Sequence, residues 1–444
     1  MTANQNNSNT YTFQPPFGKI LAFRENGILK AKNIRYAYSE RFKMPIVVQP
    51  SDSEIIFPKK TPVCPQNISP LLEKMIGKTN LNDFEVDESP QYISIFRPEN
   101  FNENGKLSVI VWIHGGSYEI GCGDLPTADP TDWVKEQNII VVTISYRLGI
   151  FGFLGGNEEK PANLGLFDLI EALKWIKNNI ESFGGDSENI TLFGQSSGGD
   201  VIAHLMISEG TEDLFKRVII HSAPLGLRKN RQKMSTEFLK NTQIFNEKSD
   251  ALEIIENYKN CTPSFLKYGL KAAMPFGTQY GFPPLCNEDE AEERWKQKAK
   301  EVDVLIGLND EETSFYLKTS DIVNKYFPVK ILNRAIRTTT EIIYGKPATD
   351  FAESYAQNGG NVYLFRIHPR LKIANHFLGA HAIDLPFIFG NESAWKSSGI
   401  LKNIPWKYID ENGRKLRKLW TEFANTGKIS ADSERPEILE VFKV

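Results

Sequence analysis

A serine set between two glycines is the strongest chemical signal in this 444-residue chain, in the Gly-Gln-Ser-Ser-Gly motif at residues 194–198. The apolar run at 189–193 predicts a buried strand, and the run at 197–207 predicts a helix. A strand-to-helix turn this tight leaves no room for a Cβ at either glycine. Ser196 at its apex would extend its hydroxyl above the sheet, beside the free N–H groups of a helix N-terminus. Such a position is typical of a nucleophile for acyl transfer, while a glycine-rich loop is the alternative interpretation.

A second glycine-rich loop, His114-Gly115-Gly116, follows an apolar strand predicted at residues 107–113. Glycines let backbone N–H groups approach a substrate without side chains in the way. An acyl-transfer oxyanion needs several such donors fixed in advance, and losing one typically costs about 3–4 kcal/mol. We therefore predict an oxyanion hole formed by the N–H groups of Gly115, Gly116 and Ser197. An ordinary Gly-Gly turn is the alternative, which the order of strand, glycine loop, two strands and serine motif disfavours.

Further motifs follow one another in a fixed order. They are Ser-Tyr-Arg-Leu-Gly at 145–149, Asn-Leu-Gly-Leu-Phe-Asp at 163–168, Ala-Leu-Lys-Trp-Ile at 172–176 and Phe-Gly-Gly-Asp at 183–186. With the two glycine motifs they resemble the type B carboxylesterases of the α/β-hydrolase superfamily, the group of para-nitrobenzyl esterase and the cholinesterases. The resemblance runs from about residue 18 to residue 425. It implies a serine carboxylic ester hydrolase that works through an acyl-enzyme and needs no metal or organic cofactor.

The general base must be a histidine late in the chain, because this fold orders its triad as serine, acid and histidine. Of six histidines, His368, His376 and His381 lie far enough downstream. His381 lies in the segment 379–390, which is similar to the family's catalytic-histidine segment almost residue by residue. His368 follows a predicted strand and fits a strand-end residue. We predict His381 as the base, with His376 as the second candidate.

The triad acid is expected where an apolar strand beginning near residue 302 ends in a cluster of carboxylates. Its task is to accept the imidazole N–H and to stabilise the imidazolium as it forms. By resemblance the acid is Glu312. The chain departs from the family pattern Asp-Glu-Gly, since it has Glu311-Glu312-Thr313. If the family glycine needs a positive φ, Thr313 would be strained, so Glu311 stays an alternative, as does a solvated acidic loop.

Two positions near the serine motif depart from the family pattern, while two implied ion pairs agree with it. Gln195 stands where the family usually has Glu, which removes a charge behind the nucleophile. Val201 replaces a serine that supports the triad, so hydrogen bonding to the acid must differ. The resemblance also implies two structural ion pairs, Arg41 with Glu88 and Arg147 with Asp168.

Apolar runs that alternate with helical stretches predict an α/β fold. By resemblance it is the α/β-hydrolase fold, with a mostly parallel central sheet flanked by helices. Short alternating strands in the first hundred residues predict an antiparallel N-terminal edge. We expect residues 1–17 to be a disordered tail and residues 18–444 to form a single domain.

Composition narrows the class of partner. The net charge of −3 and the lack of a basic stripe exclude a nucleic-acid partner, and no apolar run of about 20 residues predicts a membrane span. The N-terminus lacks the apolar core of a secretory signal. Four cysteines show no metal-ligand spacing, and Pro90 stands where many secreted relatives carry a disulfide cysteine. Free thiols favour a cytoplasmic location.

The substrate is expected to be a small ester. Compared with the family, the intervals 223–301 and 312–381 are short, and such segments usually build the rim of the site, so we expect a shallow site for short-chain acyl groups. Two alternatives remain. One is a non-catalytic, cholinesterase-like binding module, and the other is the same triad acting on thioesters, carbamates or activated amides.

Overall fold

A computed structural model describes residues 9–55, 58, 60–77, 83–100, 105–246, 248–320, 325–373, 375 and 377–444. Within these residues, twelve strands form one mixed sheet, and two small two-stranded sheets lie apart from it. The strands are β1 (Thr10–Phe13), β2 (Gly18–Glu25), β3 (Ile28–Arg35), β4 (Ala37–Tyr38), β5 (Ile46–Val47), β6 (Ser51–Ile55), β7 (Thr61–Val63), β8 (Phe84–Val86), β9 (Tyr92–Pro98), β10 (Leu107–Ile113), β11 (Ile140–Ser145), β12 (Gly185–Gln195), β13 (Arg217–His221), β14 (Asp303–Asn309), β15 (Val362–Ile367) and β16 (Leu439–Lys443).

The large sheet runs in the order β1-β2-β3-β9-β11-β10-β12-β13-β14-β15-β16, with β6 added beside β2. The five pairings from β11 to β15 are parallel. The path from β1 to β11 and the final β15–β16 pair are antiparallel. This confirms the parallel centre and the antiparallel N-terminal edge predicted from the sequence.

Fifteen α-helices among the described residues connect and cover the strands. They are α1 (Pro70–Ile76), α2 (Thr131–Gln137), α3 (Gly149–Gly152), α4 (Leu164–Asn179), α5 (Ser197–Leu205), α6 (Gln232–Asn241), α7 (Ala251–Asn257), α8 (Phe265–Tyr268), α9 (Ala291–Lys298), α10 (Ser314–Leu317), α11 (Val329–Thr340), α12 (Lys346–Gln357), α13 (Leu385–Phe389), α14 (Glu392–Trp395) and α15 (Trp406–Thr426). No helix in the described ranges is both long and apolar enough to cross a membrane.

Each face of the sheet carries its own hydrophobic core. In β10, every residue is buried; Val109 and Val111 belong to one core, while Ile110 and Trp112 belong to the other. Successive side chains of a strand point to opposite faces, so a strand covered on both sides is apolar throughout. Helices α4 and α5 pack on the first face, and α15 packs on the second. The carboxyl ends of the parallel strands are thereby held at one edge.

The sheet starts earlier in the chain than expected. The segment predicted as a disordered tail contains β1, and Phe13 and Phe17 within it are buried. The Phe13 ring lies 4.5 Å from that of Phe183, and the Phe17 ring lies 5.3 Å from that of Trp175. These aromatic contacts with the end of α4 and the turn after it order the segment, whereas residues 1–8 lie outside the described part of the chain.

Both structural ion pairs implied by the resemblance are present. Arg41 Nη2 lies 2.5 Å from Glu88 Oε1. Arg147 Nη2 lies 2.7 Å from Asp168 Oδ1, and both of these side chains are fully buried. Asp168 also accepts the Arg147 backbone N–H at 3.1 Å and the Gln91 amide at 3.2 Å. The pair fixes the segment after β11 against the N-terminal turn of α4.

Removing one partner of this buried pair should be costly. We expect Asp168→Ala to lower the free energy of unfolding by about 3–5 kcal/mol, because it leaves the Arg147 guanidinium as an uncompensated buried charge. Asp350→Ala is the matched control, since Asp350 forms a 2.7 Å pair with Lys346 on the exposed face of α12. The control should unfold like the wild type in urea. Equal stability of the two variants would contradict the prediction.

Candidate active site

Ser196 occupies a sharp turn between β12 and α5. Its φ of 59° and ψ of −127° are unusual for a residue with a side chain. A Cβ on Gly194 would lie 2.5 Å from the Gly198 carbonyl group, and one on Gly198 would lie 2.1 Å from the Ile113 carbonyl oxygen. The two glycines therefore allow the backbone contact that closes the turn, as the sequence predicts. Asp200 N–H donates to the Ser196 carbonyl oxygen at 2.9 Å and begins the hydrogen bonds of α5.

His381 and Glu312 form a buried pair. His381 Nδ1 is 2.6 Å from Glu312 Oε2, and the Glu312 side chain is fully buried. Glu312 Oε1 accepts the backbone N–H of Asn309 at 2.7 Å. Both carboxylate oxygens are therefore satisfied, and the carboxylate fixes the proton on Nδ1, so that His381 Nε2 carries no proton and can accept one.

The alternatives for the acid and the base differ in position. Glu311 turns away from His381 and pairs with Lys318 at 3.1 Å. Thr313 adopts a φ of −74°, so the departure from the family's glycine introduces no backbone strain. His368 faces Glu440 at 3.0 Å, at the end of β15, and His376 lies outside the described residues.

Ser196 and His381 line the same cavity, whose volume is about 210 Å³. The Gln195 amide nitrogen lies 3.3 Å from His381 Nε2, so in this structure the amide donates to the nitrogen that would receive the serine proton. Among the described residues, the Ser196 hydroxyl makes no hydrogen bond to His381. Such bonds often tighten only when a substrate is bound. Sequence reasoning found that Gln195 replaces Glu but did not find this contact.

Unpaired backbone donors surround Ser196. The N–H groups of Gly115, Gly116 and Ser197 donate to no acceptor in the described part of the chain. A Cβ on Gly115 would lie 2.5 Å from the Gln195 carbonyl oxygen and 3.1 Å from Ser196 Cβ, which shows how closely this loop approaches Ser196. Ser117 follows with a φ of 58°, also lines the cavity, and has an N–H that is likewise unpaired within the described ranges. The sequence analysis missed Ser117, although its place directly after two glycines was a usable signal.

Side chains from distant segments hold the glycine loop in place. The Tyr118 N–H donates to Ser197 Oγ at 3.1 Å, and the Tyr118 hydroxyl donates to Asp200 Oδ2 at 2.5 Å. The Gln66 amide pairs with both backbone groups of Gly121, at 2.7 Å and 3.0 Å. No local sequence signal identified Gln66, since its partner lies 55 residues away. These bonds fix the loop before any substrate arrives.

His114 is a structural member of the same loop. Burial lowers its pKa to about 4, although a hydrogen bond to Gly115 opposes the shift. The ring is therefore neutral at pH 7, and its Nδ1–H donates to the Gly115 carbonyl oxygen at 2.8 Å. A neutral ring adds no charge to the cavity that it lines.

The cavity wall is apolar apart from the groups above. Its apolar side chains come from several helices, from β10 and from the segment before α2, and include Leu72, Ile76, Trp112, Leu125, Ala128, Phe315, Leu385 and Trp395. The rings of Tyr316 and Tyr344 lie 5.7 Å and 5.5 Å from the His381 ring. Burial raises the pKa of both tyrosines, so they stay uncharged. No lysine, arginine or carboxylate lines this cavity among the described residues, which suits an uncharged, partly apolar ligand.

The cysteines and the possible metal ligands of the described residues were the other candidates for a reactive centre. The four cysteines are free thiols. Burial raises the pKa of Cys64 to about 12, so this thiol is not a nucleophile at neutral pH. Over the described ranges, no group of three or more histidine, cysteine or acidic side chains is arranged to hold a metal ion.

Comparison with known proteins agrees with this geometry. Residues 31–326 match the model of the carboxylesterase family. A probable N-octanoylanthranilate hydrolase of Rhodococcus erythropolis is 30% identical, over 89% of this chain and 89% of that protein. The para-nitrobenzyl esterase of Bacillus subtilis is 30% identical, over 94% and 90% respectively. A thermophilic PNB esterase of known structure superposes with a TM-score of 0.75 at 25% identity, covering 97% of each chain. The chain therefore belongs to the carboxylesterase family, has the α/β-hydrolase fold and is a carboxylic ester hydrolase.

Proposed function

We propose that Ser196, His381 and Glu312 are the catalytic triad of this hydrolase. The observation that carries the proposal is the 2.6 Å contact between His381 Nδ1 and Glu312 Oε2, with His381 and Ser196 lining one cavity. The strained backbone of Ser196 supports the assignment, because strain of this kind persists at functional sites where surrounding structure enforces it. Glu311 stays outside the triad in this proposal, since its carboxylate pairs with Lys318.

In the proposed mechanism, His381 Nε2 takes the proton of Ser196 as its oxygen attacks the ester carbonyl. Glu312 keeps the ring in the correct tautomer and stabilises the imidazolium. The leaving alcohol then receives the proton, and a water molecule repeats the sequence on the acyl-enzyme. The Gln195 amide must release His381 Nε2 for the first step, since the amide nitrogen now lies 3.3 Å from it.

The oxyanion is proposed to bind the backbone N–H groups of Gly115, Gly116 and Ser197, to which the structure adds the N–H of Ser117 as a candidate. These groups have no other acceptor among the described residues, which supports the proposal. Preorganised donors stabilise the charge that develops on the carbonyl oxygen without reorganising during the reaction. Positive φ values at Gly116 and Ser117 mark the turn that presents these donors.

The substrate is proposed to be a small, uncharged carboxylic ester with a short acyl chain. A volume of about 210 Å³ is below the range of about 300–1,000 Å³ usual for drug-sized ligands. The described residues that line the cavity include no lysine, arginine or carboxylate. A second candidate is an N-acyl arylamide, which the likeness to the N-octanoylanthranilate hydrolase favours. Neither candidate requires a metal ion or an organic cofactor.

Two further expectations are kept as proposals. Residues 18–444 are proposed to form a single domain, which one sheet with a core on each face supports. Strand β1, Phe13 and Phe17 belong to the same sheet and core, so this domain also includes the segment before residue 18. A cytoplasmic location is proposed from the four free thiols, which an oxidising compartment would not preserve.

Hydrolysis of p-nitrophenyl esters from acetate to decanoate tests the nucleophile and the acyl pocket together. We expect the wild type to prefer short chains, because the cavity is small, and Ser196→Ala to lose turnover by at least about 10³-fold. The release of p-nitrophenol measures both, and an octanoyl anilide added to the panel tests the amide. Equal rates for the variant and the wild type would exclude Ser196, and an inert wild type would favour a non-catalytic binding module.

Substitution of the two neighbouring carboxylates tests the acid. Glu312→Gln should lower kcat by about 10³–10⁴-fold, because the amide stabilises neither the tautomer nor the imidazolium. Glu311→Gln is the matched control and should retain a wild-type kcat, since Glu311 pairs with Lys318 instead. The reverse order of the two effects in p-nitrophenyl acetate assays would assign the acid to Glu311.

A further inference from the structure

A second buried pair of histidine and carboxylate lies beside the proposed triad. His221 Nδ1 is 2.7 Å from Asp384 Oδ2, and neither side chain reaches the surface. His221 is the last residue of β13, next to the strand that carries Ser196. Asp384 follows His381 by three residues. Neither residue contacts the ester in the mechanism above, so their burial requires another explanation.

Trp420 of α15 fixes the proton of this pair. Its indole nitrogen lies 2.7 Å from His221 Nε2. An indole N–H only donates, so Nε2 must be the unprotonated acceptor, and the single ring proton lies on Nδ1. His221 donates that proton to Asp384 and remains a neutral imidazole. Asp384 therefore gains a hydrogen bond from His221 but no cationic partner.

Asn309 joins this pair to the triad acid. Its side-chain amide donates to Asp384 Oδ1 at 3.0 Å, and its backbone N–H donates to Glu312 Oε1 at 2.7 Å. Burial acts to raise the pKa of the Asp384 carboxyl, but hydrogen bonds from His221 and Asn309 and attraction to the His221 and His381 rings lower it. The two hydrogen bonds exist without any charge on His221, and they favour the ionised form of the carboxylate. Asp384 is thus an ionised carboxylate in the protein interior. Asn309, which donates a hydrogen bond to each of them, lies between the Asp384 and Glu312 carboxylates.

The surrounding charges leave His381 as the group that Asp384 can stabilise. Arg417, three residues before Trp420, is bound to Glu136 at 2.7 Å and to the Phe387 carbonyl oxygen at 2.8 Å. His381 itself faces Glu312, the uncharged rings of Tyr316 and Tyr344, and the neutral amide of Gln195. A buried anion without a permanent counter-ion favours the appearance of a positive charge nearby.

We propose that Asp384 is a positioning residue of the hydrolysis, a second buried anion that stabilises the His381 imidazolium while Trp420 keeps His221 neutral. The proposal rests on the triad roles given above. When His381 takes the proton of Ser196, its charge is balanced directly by Glu312 and over a longer distance by Asp384. A proton on His221 Nε2 would place a positive charge beside Asp384 and cancel its effect on His381. The hydrogen bond from Trp420 opposes this protonation, and that is its function in the proposal.

The pH dependence of kcat/KM for p-nitrophenyl acetate tests the proposal. Asp384→Asn removes one charge and keeps the shape, so the imidazolium is less stable and forms only at lower pH. We expect the acid limb of the profile to move down by about one pH unit, the effect of one charge at an effective dielectric constant of about 20, and kcat to fall about three- to tenfold. A reduced kcat with an unmoved acid limb would show a merely structural role and overturn the proposal.

His221 and Trp420 supply the matched controls. His221→Gln can donate to Asp384 and accept from Trp420 but cannot be protonated, so its acid limb should coincide with that of the wild type. Trp420→Phe frees His221 Nε2 to bind a proton, so the acid limb should move down, and this shift should vanish in the His221→Gln background. A shift that persists in the double variant would contradict the role of His221.

Two readouts separate this inference from folding defects and from the proposed triad. Spectra of ¹⁵N-histidine in the wild type, with His221→Gln used for assignment, should show the Nδ1–H tautomer for His221, with Nε2 as the hydrogen-bond acceptor. A proton on Nε2 under the conditions of the assay would overturn the proposal without any variant of Asp384. Ser196→Ala, assayed in parallel, reports on the triad alone, and wild-type turnover of this variant would contradict the triad assignment. If Ser196→Ala is inactive and the pH profile of Asp384→Asn is unchanged, only the role of Asp384 is rejected.

Discussion

The approach of the turn at Ser196 to the end of β10 is the contact on which the site depends. Gly198 packs against the Ile113 carbonyl oxygen so closely that a Cβ would lie 2.1 Å away. This contact holds Ser196, the first turn of α5 and the loop after β10 close together at the edge of the sheet. The parallel pairing of β10, β12, β13 and β14 then delivers the other groups to the same edge, because parallel strands end on the same side. The direction of the parallel strands therefore decides where the groups of the site meet, and the side chains then complete the site.

Hydrogen bonds between sequence-distant residues convert that edge into a rigid site. Tyr118 and Gln66 hold the glycine loop, while Asn309 connects the carboxylates of Glu312 and Asp384. Removing one of these side chains would leave its buried partner without a hydrogen bond, which lowers the free energy of unfolding by about 1–3 kcal/mol. The apolar wall of the cavity strengthens every remaining charge interaction, since it excludes water from the site.

The parts of the site that the sequence predicts are those specified locally. The turn at Ser196, the loop at Gly115 and the segment of His381 are short motifs whose residue types follow from backbone geometry. The acid was located only to within one residue, because the choice between Glu311 and Glu312 depends on which side chain faces inward after β14. Thr313, in place of the family's glycine, would be strained at a positive φ. Its φ is an ordinary −74°, so its backbone gives no reason to prefer Glu311. Contacts such as Trp420 with His221 span 199 residues, and no periodicity or motif encodes them. The same limit explains the N-terminal strand, whose order comes from the distant rings of Phe183 and Trp175.

Helix α15 is synthesised after all the parallel strands that it covers. It supplies Trp420 beneath β13 and anchors α2 through the 2.9 Å bond between Trp133 and Thr421. Ser196 leaves the ribosome 210 residues before the first residue of this helix, Trp406, and Gly115 leaves it 291 residues before. During that interval His221 lacks its indole partner, and one face of the central strands lacks its cover. A nascent chain thus carries Ser196 well before it carries the helix that covers this face of the sheet.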